Sequence, residues 1–569
     1  MSKMSDAVSG IREDAILRRD ETVTNFMGGD SYVINPLDTL KMITASSIFG
    51  EPSYYRGSRD HNAYVVNELI RSFSVIPEFY EGKTTEEIME AAIDAALDYD
   101  FEGTLNWAIT LREEFFMRLN PQVIMVRAAL HPKRKEFTEA HPGTFDEYNR
   151  RVMRRADEPL TQMTYYLYNN KGKKNAIPSI LKRSWAKCLS GFGKYKLAKY
   201  KNHEIGMINA VRLCHANSPA IDELMRTGTI ELPNEDKTWE NLRSEGKSWK
   251  EIFSSVNMGH MALLRNLRGI FTEVDDAEFC KEYLEKLKSG VIDGKQFPFR
   301  YYSAIEAVEK SKCHHSPMII EALEECMDVS LENFPKLKGK TMCLSDNSGS
   351  AWGGFTSEFG RMTVAKIDNL SSVITAACSD EGYVGKFGDE LKVFPIAKRK
   401  GILSQASKIS KDACRDVGGA TEGGIWEFFK SAIENKEHWD NIFIYSDMQA
   451  GHGGLFGTDA QLDEYGKLGF ACKHDHGYFA SRRATPINVF ALVQEYRKKV
   501  NPKVNVFMIQ TAGYDNVLIP EYAYRTNIMY GWTGKEAVFA QAMIDQWDAI
   551  ENRGTSDTTC DPAEEDLPF

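Results

Sequence analysis

The apolar residues of this chain change their spacing once, near residue 338, and that change constrains the fold more than any other feature. From about residue 30 to 330 they return every three or four positions, as in Ile88, Ala91, Ala92, Ala95 and Leu97 of TTEEIMEAAIDAALDYD, which is the period of an amphipathic helix. Thr84 followed by Glu87 gives that segment the spacing of a capping box. Proline dipeptides at 120–121, 131–132, 141–142, 177–178 and 218–219 cut the region into many helices, the pattern of a stacked helical array, although no exact sequence period is present. Past residue 338 the runs TMCLSD, VGKFG, LKVFPI, NIFIYSD and VNVFMIQT are short and apolar, with helical segments between most of them, and they predict an α/β domain with a mostly parallel sheet. The expected fold class is therefore α plus α/β, with a helical domain over 1–337, an α/β domain over 338–552 and an acidic, disordered tail over 553–569.

Composition excludes several classes. No apolar stretch approaches the roughly 20 residues of a membrane span, and the N-terminal residues mix charges without the apolar core of a signal peptide, so a cytoplasmic protein is expected. Ten cysteines without a CxxC pair suit reduced thiols. A net charge of −11 argues against a polyanionic partner on average, but the average hides a local exception. Between Leu160 and His203 stand ten basic residues (Lys171, Lys173, Lys174, Lys182, Arg183, Lys187, Lys194, Lys196, Lys199 and Lys201) and no Asp or Glu. Trp185, Phe192, Tyr195 and Tyr200 are interleaved with them. Lysines and arginines engage phosphates and aromatic planes stack on unpaired bases, so the stretch reads either as an RNA-binding face or as a solvated helix with its aromatics packed inward.

A second constellation lies in the α/β half. The strand TMCLS runs into Asp346-Asn347-Ser348-Gly349-Ser350, a DxSxS pattern that brings a carboxylate and two hydroxyls out of one tight loop. The Gly-rich loop 418–424 supplies Thr421, and the strand NIFIYSD ends on Asp447. Hard oxygen ligands of low total charge suit Mg²⁺. The set resembles the metal-ion-dependent adhesion site of von Willebrand factor type A domains, which implies that Asp346, Ser348, Ser350, Thr421 and Asp447 bind the cation directly or through water. Ala420 stands where the commoner pattern has a second glycine, and a turn-capping role for Asp346 stays open. Two carboxylates with a divalent metal also serve phosphoryl transfer, but no nucleophile with an orienting base and no phosphate-binding GxxxxGK[ST] loop accompanies them, so no catalytic residue is assigned.

The basic stretch AIPSILKRSWAKCLSGFGKYKLAKYKN, followed by RLCHANS, resembles the central signature of the TROVE-domain family, the Ro ribonucleoprotein autoantigen and its bacterial and phage relatives. ETVTNFMGGDSYVINPLDTLKMITASSIFGEPSYY, MALLRNLRGI and FPFRYYSAIEAV resemble further family segments in the right order, over about residues 20 to 550. The resemblance implies a HEAT-like helical-repeat ring followed by a von Willebrand factor type A domain, and a chain that is not an enzyme and is a monomer when free of RNA. It implies binding of a small noncoding RNA of the Y type and of single-stranded RNA ends, in RNA quality control or processing, with an exoribonuclease or another protein docking at the A domain. Lys171, Lys173, Lys174, Lys182, Arg183, Lys187, Lys199 and His215 are the residues expected to contact RNA, a core role for His215 remaining open. For Arg265 of MALLRNLRGI, helix packing or an ion pair is as good a reading as RNA contact. A protein-interaction adaptor without RNA and a metal-dependent phosphohydrolase are the rival readings. Residues 451–485 form an unusually long connection containing His452, Cys472, His474 and His476, read as a partner-binding excursion, with zinc as the lesser alternative.

Overall fold

The computed structural model describes residues 22–24, 30–33, 35–45, 85–113, 115, 117–170, 176–200, 205–232, 237–353, 355–357, 360–419, 421–448, 489–511, 516–518, 524–530 and 536–556. From Thr85 to Ser330 the described residues fold into a succession of helices, most of them two to four turns long. Several of their starts are set by side-chain caps. Ser248 and Glu251 satisfy each other's backbone N–H groups at the start of Trp249–Ser255, and Asp276 accepts from the N–H groups of Glu278 and Phe279 at the start of Ala277–Ser289. In Thr85–Tyr99 the buried face consists of Ile88, Met89, Ala92, Ile93, Ala96 and Leu97, while Ala95 is exposed. The expected stripe was thus rotated slightly, because alanine is apolar enough to join a periodic pattern from either face. Thr84 lies outside the described residues.

A buried polar hub joins four helices, Asn120–Leu130, Thr144–Val152, Glu158–Asn169 and Ser179–Ser190. The Gln162 amide donates to Gln122 Oε1 (2.8 Å) and Asn149 Oδ1 (2.7 Å), and its oxygen accepts from the Trp185 indole (2.8 Å). Each buried polar atom here has a partner in a neighbouring helix, so the hub fixes the register in which apolar faces alone could slide.

The α/β half is built on a six-stranded sheet of order β11-β9-β8-β3-β6-β7. Its members are β3 (Leu337–Asp346), β6 (Ser379–Phe387), β7 (Leu391–Pro395), β8 (Asn441–Ser446), β9 (Asn505–Gln510) and β11 (Thr526–Tyr530). All neighbours pair in parallel except β6 with β7, so the sheet is mostly parallel with one antiparallel edge. Helices cover both faces, and β8 and β9 are buried along their whole length, as central parallel strands must be. A two-stranded ribbon, β4 (Phe355–Ser357) and β5 (Gly360–Thr363), follows the DxSxS loop. The last helix, Glu536–Ser556, runs past residue 552.

The two halves meet at both ends of the helical array. Near the N-terminus, β1 (Thr22–Thr24) pairs with β2 (Asp30–Val33), and β2 pairs with β10 (Asn516–Val517). The helix Pro36–Ala45 packs on β11, and the Phe115 ring stacks on Phe539 at 5.9 Å. At the other end, both oxygens of Asp328 accept from the N–H groups of Gly401 (2.7 Å) and Ile402 (3.0 Å) at the start of the helix Ile402–Ser410, and Arg399 donates to the Phe334 carbonyl (2.9 Å). The α/β domain thereby bridges the first and last helices and closes the array on itself.

Candidate functional site

At the carboxyl ends of the parallel strands, β3 delivers Asp346 and β8 is followed directly by Asp447, both fully buried. Asp346 Oδ1 accepts from the Ser348 N–H (2.8 Å) and Oδ2 from the Ser446 hydroxyl (2.6 Å). Burial pushes its carboxyl above the usual range, against those two hydrogen bonds. The Ser348 and Ser350 hydroxyls lie 3.1 Å apart, and Ser350 donates to Asp447 Oδ2 at 2.9 Å. Oxygens on adjacent corners of an octahedral Mg²⁺ shell are about 3 Å apart, given bonds of about 2.1 Å, so these separations suit a hard divalent cation. The donors around Asp346 are all neutral, which leaves its charge uncompensated by any described cation. Among the described residues no three His, Cys, Asp or Glu side chains gather closely enough to hold a metal by themselves, so a cation here would depend on the serine hydroxyls.

Thr421, almost fully buried, is the N-cap of Glu422–Glu434 and is positioned by the loop before it. That loop is tied to the DxSxS turn by the Gly349 N–H on the Gly419 carbonyl (2.8 Å), and to the β6–β7 turn by the Gly424 N–H on the Gly388 carbonyl (2.9 Å). Glycine is required for this approach: a Cβ at Gly388 would stand 2.4 Å from the Gly418 carbonyl oxygen, and Gly418 has φ +82°. Ala420 lies outside the described residues, but the ties on either side of it hold the loop to the site.

Several supporting residues carry no motif. Ser446 accepts from the Met448 N–H (3.0 Å) while donating to Asp346, and Met448 sits at φ +63°, a strained backbone directly after Asp447. Asn369 on the helix Val364–Ala377 receives Ser345 (2.7 Å) and the Asn347 amide (2.8 Å) and donates back to Asn347 (3.0 Å), which fixes the turn from behind. The polar residues immediately beside the recognised positions, Ser446 and Asn347, were the only hint of this in the sequence.

The basic segment is less uniform in space than in sequence. Lys171, Lys173, Lys174 and Lys201 lie outside the described residues. Arg183 is 61% exposed at its side chain but bound to Asp146 at 2.7 Å, Lys199 pairs with Glu240 at 2.6 Å, and Lys194 pairs with Glu223. A stretch without acids is therefore partly neutralised by carboxylates from other helices. Lys182, half-buried, and Lys187, exposed, form no ion pair with any described residue. Trp185 is fully buried in the polar hub, so inward packing holds for it, while Tyr200 is half-buried with the Arg155 guanidinium beside its ring. His215 is exposed, in a left-handed C-cap at φ 60°, and the core alternative for it is overturned. Arg265 is exposed too, with no ion pair to a described residue. His314 and His315 face Asp275 at 3.6 and 3.2 Å. The segment 451–485 lies outside the described residues.

The fold and the strand-end constellation define a class: a closed helical array bridged by an α/β domain of the von Willebrand factor type A kind. Within that class, a model of the TROVE domain matches residues 219–322. Among solved structures, the chain is similar to the Ro (RSR) protein of Deinococcus radiodurans, with a TM-score of 0.53 and 13% identity over 79% of this chain and 93% of that one. No curated protein matches it in sequence. The fold is thus that of a Ro protein, a HEAT-like helical-repeat ring followed by a type A domain, and the chain carries a TROVE-matching segment within its helical half.

Proposed function

We propose that the chain is an RNA-binding scaffold of the Ro type. It holds a small structured noncoding RNA by phosphate contacts on the helical array, and it presents a Mg²⁺-dependent docking site on the type A domain to a protein carboxylate, such as one from a partner exoribonuclease. The TROVE match over 219–322 carries the RNA half of this reading. It is supported by Lys182, Lys187, His215 and Arg265, which are open to an external anion to different degrees and form no ion pair with any described residue. The metal half is supported by the serine and carboxylate oxygens spaced like an octahedral edge, with Thr421 on the adjoining loop. Asp346, Ser348, Ser350, Thr421 and Asp447 would hold the cation, whose positive charge would attract an incoming carboxylate. Chemistry on RNA is not part of the proposal, because no described nucleophile with an orienting base accompanies the two aspartates. Among the described residues no helix is long and apolar enough to cross a membrane, and we place the protein in the cytoplasm.

The decisive experiment is filter binding of the full chain to a panel of structured small RNAs at increasing salt. A steep negative dependence of log affinity on log salt is expected. Wild-type protein that binds no RNA at low salt would favour the adaptor reading instead, and RNA cleavage lost in Asp346→Ala would favour the hydrolase.

A further inference from the structure

The helix Val364–Ala377 is buried on every side, yet it places a carboxylate in the interior. Asp368 is fully buried, and neither of its oxygens has a hydrogen-bond partner among the described residues. The Thr511 hydroxyl lies beside it without closing a bond, and Asp346 and Asp447 both raise its carboxyl pKa by repulsion, on top of the larger effect of burial. Its surroundings locate it at the strand ends. The next residue, Asn369, bonds the residues on either side of Asp346, and Thr511 donates its N–H to the carbonyl of Ser446, the residue that donates to Asp346. A carboxylate buried without hydrogen bonds or a counter-charge is among the least favourable groups a protein interior can hold, so its retention calls for a positive charge nearby. No described Lys or Arg pairs with it.

Resting on the metal reading above, we propose that Asp368 is a third carboxylate of the same centre, acting on the bound cation through an intervening water. Direct ligation is the poorer fit, since no three acidic side chains gather at bonding distance among the described residues. Neither the DxSxS pattern nor the Thr and Asp positions include this residue. With it, the centre carries three negative charges instead of two, which strengthens cation binding and lowers its dependence on a partner's carboxylate to complete the shell.

The test compares wild type, Asp368→Asn and Asp346→Ala as full chains, by calorimetric titration with Mg²⁺ and by thermal melting with and without Mg²⁺. Groups that act on a metal from outside its shell typically contribute about 10- to 100-fold in affinity. Asp368→Asn should weaken Mg²⁺ binding at least about tenfold while raising the melting temperature of the metal-free protein, since the amide keeps the shape and removes the unpaired charge. Asp368→Ser repeats the comparison with a smaller uncharged side chain. Mg²⁺ affinity in both variants within about twofold of wild type, with Asp346→Ala abolishing it, would overturn the role of Asp368 and leave the metal centre standing. Undiminished binding in Asp346→Ala would remove the centre and this role together.

Discussion

The basic side chains differ in what they can offer an RNA. A lysine already paired with a carboxylate must give up that pair to meet a phosphate, whereas an unpaired one loses only water. The order of effects should therefore follow pairing in the folded chain. Lys182→Glu with Lys187→Glu should lower affinity for structured RNA more than tenfold and flatten the log–log salt slope by about 1.5, two contacts at roughly 0.7 to 0.9 each. Lys199→Ala, which frees Glu240, should have a much smaller effect. Equal losses in both variants, read by filter binding at two salt concentrations, would show that pairing does not rank the contacts. This ranking was not legible in the sequence. The acid-free run was visible, but Asp146, Glu223 and Glu240 reach it from other helices, and only the fold brings them there. The five positions proposed for the cation were visible as a pattern because each lies in a loop with a fixed spacing or at a strand end. Asn369 and Asp368 were not, and Ser446 was hinted at only by its place beside Asp447, since a polar residue within a helix or strand has the same appearance whatever it faces.

At the scale of elements, two buried polar contacts link segments that hydrophobic pattern alone would leave free to slide. Lys386 on β6 is buried, with its ammonium 2.6 Å from Asp416, which Lys392 also approaches at 3.3 Å. Burial pushes the Asp416 carboxyl up, but the bonds and charges of the two lysines outweigh it and hold the group below the ordinary aspartate value. Its contribution to stability is therefore complete above the unfolded pKa of about 3.9 and is lost as pH falls through the lower folded value. Asp416→Asn should cost about 3 kcal/mol near neutral pH, by leaving Lys386 buried without a charge partner, and should remove that part of the acid sensitivity. Urea titrations at pH 7 and pH 3 measure both, and an unchanged midpoint at pH 7 would contradict the assignment. In the helical half, Gln162→Leu strips partners from Gln122, Asn149 and Trp185 at once, and at about 1 kcal/mol or more per orphaned group should cost about 3 kcal/mol. The helices and the five recognised strands were readable from period and length. β11 and the short strands near the N-terminus were not, because TVT, DSYV and TNIMY are too short to show alternation, and β2 finds its second partner, β10, far away in sequence.

For the molecule as a whole, what matters is that both ends of the array rest on one domain. Stacked helices that touch only their neighbours unfold almost independently of a distant domain, since each interface contributes locally. Here β2 pairs with β10 and Asp328 caps the helix Ile402–Ser410, so opening the array at either end costs contacts to the type A domain. The closed chain should melt in one calorimetric transition that Mg²⁺ shifts upward, because a ligand bound to one part of a cooperative unit stabilises all of it. Removing residues 1–34 and replacing Asp328 by Ala takes away the β2–β10 pairing and the Asp328 cap, leaving the contacts of Pro36–Ala45, Phe115 and Phe334 to hold the ends, and the double variant should then show two transitions, of which Mg²⁺ moves chiefly the one belonging to the α/β domain. Loss of the cap alone is worth about 1 kcal/mol, too little to unfold either half, so a second transition would report lost coupling and not damage to a core. A single Mg²⁺-responsive transition in the double variant would mean that the halves are joined by contacts other than these. The same variant tests whether closure matters for RNA. If the RNA contacts lie on the outer helices, affinity for structured RNA should survive opening, while any ligand that threads the array should be lost with it.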